Sequence, residues 1–265
     1  MNQGLDRGAM SDQDKAVDLL GVPIAALTVD RLHARILAFV QEDRHALVLH
    51  ANAHGLNLAC RYPWLRRFLN QAEIVFCDGA GVILGARLLG QQIPERITYA
   101  DWMWQLAEFC TQEGLTFFFL GARPGVADKA AARLCGRYPG LQVVGAHHGY
   151  FDKTPGSVEN EAVLQQINAA RPDILIVGLG MPLQERWLLE NWERVEANVG
   201  LTGGAAFDYL SGELRRAPRW MTDNGLEWLG RLLIEPRRLF QRYVIGNPLF
   251  MLRVLGQRFG LLRFK

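Results

Sequence analysis

The sequence runs to 265 residues, 49% hydrophobic and 21% charged, with a formal net charge of +2. That length suits one large α/β domain, or one domain with a tail, and the balance of apolar and charged residues supplies a real core. No uncharged apolar run reaches the roughly 18 residues that a spanning helix needs. Residues 1–15 are polar and lack the apolar centre of a signal peptide, so the expectation is a cytoplasmic protein that meets a membrane only from the side.

The charge is unevenly placed. Residues 215–265 hold 11 Lys and Arg against 3 Asp and Glu, a balance of +8, which leaves −6 for the remainder. A basic tail on a neutral-to-acidic body points to an anionic partner. The four cysteines, Cys60, Cys77, Cys110 and Cys135, form no CxxC pair and read as buried thiols of a reducing compartment.

In chain order, residues 1–16 read as a disordered leader. Residues 22–28 (VPIAALT) read as a strand, and Asp30 as the cap of a helix through Phe39. Residues 46–49 form a second strand that opens into His50-Ala51-Asn52-Ala53-His54, and Leu56, Leu58, Ala59, Leu65, Phe68 and Leu69 carry helical spacing. Residues 73–77 are a strand that stops at Asp78, followed by Gly79 and Gly81 and by a helix over 82–89. Residues 116–120 (TFFFL) lead through Gly121-Ala122-Arg123-Pro124-Gly125 into a helix over 126–137. A strand over 141–145 opens into His147-His148-Gly149-Tyr150-Phe151 and is followed by a helix over 159–170. The strand 173–177 (DILIV) ends in Gly178-Leu179-Gly180-Met181-Pro182-Leu183-Gln184-Glu185, before a helix over 186–195. The strand 199–202 ends in Gly203-Gly204-Ala205-Ala206-Phe207-Asp208. No element is assigned to 90–115.

Strands that are apolar throughout, each followed by a glycine-bearing turn and a helix, predict a buried parallel sheet. The fold class is α/β: a Rossmann-like parallel sheet sandwiched by helices over 17–212, with a mostly helical, basic C-terminal appendage over 213–265.

Ligands of such sheets gather at the carboxyl ends of the strands. Asp78 stands at one of those ends with glycines that let a substrate approach the backbone, although capping the next helix is also a role for it. The turn 121–125 lacks the Gly-Lys-Ser/Thr of a phosphate-binding loop and is not the dinucleotide GxGxxG. Gln184 and Glu185 open a helix where they reach a sugar hydroxyl or a phosphate, or serve the helix start alone. His50, His54, His147 and His148 have no zinc-site spacing, and no DxD motif is present, which favours a site without a metal. In the tail, Arg231, Arg237, Arg238 and Arg242 alternate with Trp228, Leu232, Leu233, Leu239, Phe240 and Tyr243. That pattern suits an amphipathic segment on an anionic membrane surface, or arginines gripping a diphosphate, and no nucleic-acid-binding motif accompanies it.

These motifs in this order resemble the WecG/TagA/CpsF family of bacterial glycosyltransferases (glycosyltransferase family 26) over residues 22–243. The resemblance rests on Cys77-Asp78-Gly79-Ala80-Gly81, Pro94-Glu95-Arg96, Leu120-Gly121, Gly149-Tyr150-Phe151, the 178–185 and 203–208 turns, Arg216-Ala217-Pro218 and Leu226-Glu227-Trp228-Leu229-Gly230-Arg231. It implies transfer of a hexose or N-acetylhexosamine from a UDP-sugar to a polyprenyl-diphosphate-linked sugar in envelope or exopolysaccharide synthesis, with inversion and with no cofactor or metal. It implies Asp78 as the base. Asn52 and Gln184 would line the sugar and acceptor pocket, Tyr150 and Asp208 would contact the nucleotide, and Arg96 would support the site. Arg231, Arg238 and Arg242 would meet the lipid diphosphate at the inner face of the cytoplasmic membrane. His50 stands where the family usually has Thr, and Arg96-Ile97-Thr98-Tyr99 also departs from the pattern; both lie near the sugar pocket and bear on whether the donor is UDP-N-acetylmannosamine-like or UDP-glucose-like. The expected partners are thus a nucleotide sugar, a lipid-linked acceptor and a membrane surface, without nucleic acid, and a homo-oligomer is compatible with the sequence. Two other readings are a nucleotide-sugar epimerase or dehydrogenase, which the missing GxGxxG disfavours, and a UDP-binding membrane scaffold without turnover.

Overall fold

A computed structural model describes residues 15–264, so residues 1–14 of the expected leader lie outside the described residues. The chain opens with an antiparallel pair, β1 (Ala16–Leu19) and β2 (Val22–Ala25), followed by α1 (Val29–Gln41) and β3 (Ala46–Ala51). Helices α2 (Ala53–Arg61) and α3 (Pro63–Gln71) lead to β4 (Ile74–Cys77), then α4 (Ala80–Leu88) and α5 (Tyr99–Glu113). The order continues β5 (Thr116–Gly121), α6 (Val126–Arg137), β6 (Gln142–His147), α7 (Val158–Ala170), β7 (Ile174–Gly178), α8 (Leu183–Asn191), β8 (Val199–Thr202) and α9 (Ala206–Ser211). The described chain closes with α10 (Arg219–Asp223), α11 (Glu227–Ile234), α12 (Pro236–Phe240), a π-helical turn (Gln241–Ile245) and α13 (Gly246–Arg258).

The eight strands form one sheet in the order β1-β2-β4-β3-β8-β7-β5-β6, parallel except at the β1–β2 edge. Period-two alternation sorts each strand between two apolar layers. Leu47, Leu49 and Ala51 of β3 face the layer under α2, α3, α4, α7 and α8, whereas Ala46 and Val48 face the layer under α1, α5, α6 and α9. β4 splits the same way, with Val75 and Cys77 on one side and Ile74 and Phe76 on the other. A strand covered on both faces reads as an uninterrupted apolar run, which is why β3, β4, β5 and β7 were visible in the sequence.

Several local details depart from the expectations. The leader was drawn through residue 16, but Ala16 already pairs with Ala25 in β1. The cap of α1 is Thr28, whose hydroxyl accepts from the Arg31 N–H; Asp30 sits within the first turn, where its charge suits the helix dipole. The helical stretch 56–69 is two helices, broken at Tyr62-Pro63 because proline has no N–H to continue the ladder. The unassigned stretch 90–115 holds a fifteen-residue helix, α5, which buries Trp102, Met103, Leu106 and Cys110.

The carboxyl-terminal stretch is helical, and its last helix is part of the body's core. Phe250 and Val254 of α13 are fully buried in the same layer as Leu19, Leu56 and Val82. Gly85 leaves room for the Phe250 ring, which a Cβ there would meet at 3.0 Å. Gln257 clasps the amino-terminal hairpin: its Oε1 accepts from the Leu20 N–H at 2.8 Å, and its Nε2 donates to the Asp18 carbonyl at 3.0 Å.

Candidate active site

The turns after β3, β4, β5, β6, β7 and β8 all open on one edge of the sheet and line a single cleft of about 1710 Å³. Glycines make that edge approachable. Gly121, at φ +147°, sits so close to β7 that a Cβ would lie 2.3 Å from the Gly178 carbonyl oxygen. Helices α11 and α12 and the π-helical turn over Gln241–Ile245 roof the cleft with Trp228, Arg231, Ile234, Arg238, Arg242 and Tyr243.

Asp78 ends β4, and its N–H donates to the Ala51 carbonyl at 2.8 Å, which fixes the residue against the end of β3. Its side chain is 22% exposed, enough for a ligand to reach it. Burial raises its carboxyl above the usual range; Arg242, the Asn52 amide, Arg231 and Arg96 pull it back down. Asn52 therefore has two tasks, since its Oδ1 also caps α2 by accepting from the Gly55 N–H at 2.9 Å.

His50 lies on the neighbouring strand end, with Nε2 3.9 Å from Asp78 Oδ2. Its Nδ1 lies 2.9 Å from the Thr202 carbonyl oxygen and 2.8 Å from the Thr202 hydroxyl, which fastens the ring to the end of β8. Burial, with Arg242 adding to it, lowers this imidazole to about 4 although the Thr202 carbonyl favours the charged form. The ring is thus a neutral neighbour of Asp78 and no ion-pair partner. Tyr99 packs edge-on against it, with ring centroids 5.0 Å apart, and lines the cleft as well.

The arginines expected to meet a diphosphate converge on this centre. Arg231 is 13% exposed, stacks over the Tyr209 ring and lies 3.8 Å from Glu235. Arg238 donates to the other oxygen of Glu235 at 2.7 Å. Burial lowers Arg242, yet it still lies over the Tyr243 ring, and the Nε atoms of Arg231 and Arg242 are buried with no hydrogen-bond partner among the described residues. Arg96 reaches across from the body to donate to the Thr222 carbonyl at 3.1 Å, tying α10 to the cleft.

The other expected residues divide. Tyr150, 68% exposed, and Asp208 both line the cleft, Asp208 with its carboxyl raised by burial against Arg123 and Arg238. Gln184 does not line it. It has no exposed surface, and its Oε1 accepts from the N–H groups of Gly180 at 3.2 Å and Gly204 at 3.0 Å while Nε2 donates to Glu185 at 2.8 Å. Its amide stands inside the wall that the two turns present to the cleft. Arg123 and Lys153 also line the cleft near Tyr150. Sequence reasoning missed both, although Arg123 sits in a turn already singled out. Among the described residues no group of three His, Cys, Asp or Glu is placed to hold a metal, and no helix is long and apolar enough to cross a membrane.

The chain was compared with known proteins. The model of the "Glycosyl transferase WecG/TagA/CpsF family" matches residues 17–263. The chain is similar to the N-acetylglucosaminyldiphosphoundecaprenol N-acetyl-beta-D-mannosaminyltransferases of Staphylococcus aureus strains NCTC 8325 / PS 47, COL and MW2. Each is 29% identical over 240 residues, covering 90% of this chain and 91% of the relative.

Proposed function

Because the chain belongs to the WecG/TagA/CpsF family and is a glycosyltransferase, we propose that it moves a hexose or N-acetylhexosamine from a UDP-sugar onto a polyprenyl-diphosphate-linked sugar, with inversion and without a metal. The observation that carries this reading is the placement of one half-buried carboxyl, Asp78, in a cleft whose roof brings Arg231, Arg238 and Arg242 over it. The similarity to mannosaminyltransferases favours a UDP-N-acetylmannosamine-like donor over a UDP-glucose-like one.

The chemistry follows from that arrangement. The Asp78 carboxylate takes the proton of the acceptor hydroxyl as its oxygen attacks the anomeric carbon. The bond from that carbon to the donor diphosphate breaks on the opposite face, UDP leaves with the electron pair, and the configuration inverts. The Asn52 amide orients Asp78, and burial keeps the carboxyl basic against the pull of Arg242, Arg231 and Arg96. Arg123 and Lys153 stand on the side of Tyr150 and Asp208, where the donor diphosphate and nucleotide would lie, and offset the leaving charge. The roof arginines take the acceptor diphosphate, for which guanidinium offers paired donors.

The exposed apolar surface favours work at a membrane. Among the described residues, 11 of the 17 exposed large hydrophobics lie from Trp220 onward, including Leu233, Phe240, Leu252 and Phe259. Together with the basic balance of the tail, that surface suits peripheral attachment to an anionic leaflet.

The test is UDP release from a panel of UDP-sugars with a polyprenyl-diphosphate-GlcNAc analogue and EDTA present. Release that needs both the acceptor and Asp78 supports the reading and identifies the donor. UDP binding without release from any donor defeats it in favour of a non-catalytic scaffold.

A further inference from the structure

We propose that Glu185 is a positioning residue which, through Gln184, locks the glycine turns after β7 and β8 into the shape that receives the donor's nucleoside diphosphate. The proposal rests on the transferase reading above.

Glu185 is 1% exposed, and its carboxyl touches little that would justify its burial. Oε1 accepts from Gln184 Nε2 at 2.8 Å, and Oε2 has no partner among the described residues. A buried carboxyl held by one side chain is expensive, and a Met or Leu of similar size would pack there at lower cost. Burial accordingly pushes the group up to about 7, against the Gln184 amide and its own backbone N–H, which favour the ionised form. Groups kept at such cost cluster near functional centres. Here the centre is close, since the Gly180 and Gly204 turns that Gln184 holds line the same cleft as Asp78.

What Glu185 supplies is direction. An amide side chain has one accepting and one donating end. Two N–H groups, those of Gly180 and Gly204, must find the accepting end of Gln184. The two N–H groups hold that end, and the Glu185 carboxyl holds the other by accepting from Nε2, so the amide is fixed at both ends. Each turn depends on this one oxygen. Gly180 and Gly204 have φ of +80° and +56°, and both turns line the cleft at adjacent strand ends. The β7 turn is fastened twice, because the Gln184 N–H also donates to the Gly180 carbonyl at 3.0 Å. Glu185, Gln184 and the two turns therefore form one chain of hydrogen bonds from the interior of α8 to the cleft wall.

The pair can be tested by exchange. UDP affinity is measured by calorimetry on the full chain, beside steady-state kinetics and thermal melting, for E185A, E185Q, Q184E and Q184E/E185Q. E185A should bind UDP about tenfold more weakly, equivalent to about 1.4 kcal/mol, and raise the donor KM in step with little change in kcat or in the acceptor KM. E185Q, whose amide oxygen still accepts from Gln184, should recover most of that affinity. Q184E sets two carboxyl groups together in the interior and should lose more than E185A. Q184E/E185Q restores a donor facing an acceptor and should regain at least tenfold over Q184E, a coupling that independent core residues do not show. Wild-type UDP affinity in E185A, or a double variant no better than Q184E, overturns the lock while leaving the transferase reading intact. Absence of UDP binding by the wild type overturns that reading, and the lock with it.

Discussion

The two walls of the cleft are made differently. The floor is built from strand ends and backbone: Asp78, His50 and Asn52 are held by neighbours on β3 and β8, and the glycine turns are tied by a buried amide. The roof is built from long cationic side chains on short helices, with aromatic rings beneath them and buried Nε atoms still without partners. A floor of that kind is pre-organised and suits the reacting atoms, whose geometry must be met closely. A roof of arginines stacked on rings, with donors still unused, suits a charged group that arrives from outside.

The sharpest way to break the comparison is at the floor. Asp78→Asn should lower kcat about 10³-fold while leaving UDP affinity nearly unchanged. The same variant should melt higher than the wild type at neutral pH. The sign follows from the raised carboxyl. A group whose folded pKa lies above its unfolded value penalises the fold once it ionises, so removing its charge stabilises above that value. Melting curves of the two should converge as pH falls below the ordinary carboxylate range, where both folded and unfolded Asp78 are protonated. A destabilised Asp78→Asn would show that the carboxylate serves the fold instead.

The second test asks whether the roof is anchored as firmly as the floor. Phe250→Ala removes a fully buried ring of α13 and should cost about 3–5 kcal/mol in chemical denaturation. A loss below about 1 kcal/mol would mean that α13 is only laid on the surface.

The third separates the walls by function. Arg242→Ala should raise the acceptor KM about thirtyfold, in line with a lost charged hydrogen bond, and leave the donor KM near its starting value. It should also move the acid limb of the kcat profile upward. Arg242 holds the Asp78 carboxyl down, so its loss lets that group gain its proton at a higher pH. An unmoved acid limb would detach Arg242 from the base.

The smallest effect concerns the outer surface of the roof. Leu233→Ser and Leu252→Ser should each weaken pelleting with anionic vesicles by about fivefold without altering turnover on a short-chain soluble acceptor. Equal pelleting would place the membrane contact elsewhere.

Much of the floor was legible in the sequence because its signals are local. A buried strand, an acid and two glycines are contiguous in 74–81, and the same grammar recurs at 116–125, 174–180 and 199–208. The contact of His50 with Asp78 was not legible, since it exists only because β3 and β4 lie side by side although α2 and α3 separate them in the chain. Gln184 was misplaced for a related reason: two turn N–H groups lacking acceptors are invisible until the turns are brought together. β1 escaped because AVDL is four residues long and half exposed. α5 escaped despite a readable spacing at Tyr99, Trp102, Met103, Leu106 and Cys110, where aromatic bulk lowers helix propensity and hides the period.

The clasp of Gln257 on residues 18–20 has a practical consequence. The roof helices are tethered at both ends, by the Arg216–Asp101 pair where they leave the body and by α13 where they return. They form the span of a handle, not a flap with a free edge, so a long ligand would enter the cleft from the side. It also means that trimming the chain at residue 213 removes Phe250 and Val254 from the core and uncovers the hairpin. Such a cut would report on folding first, and the roof is better dissected residue by residue.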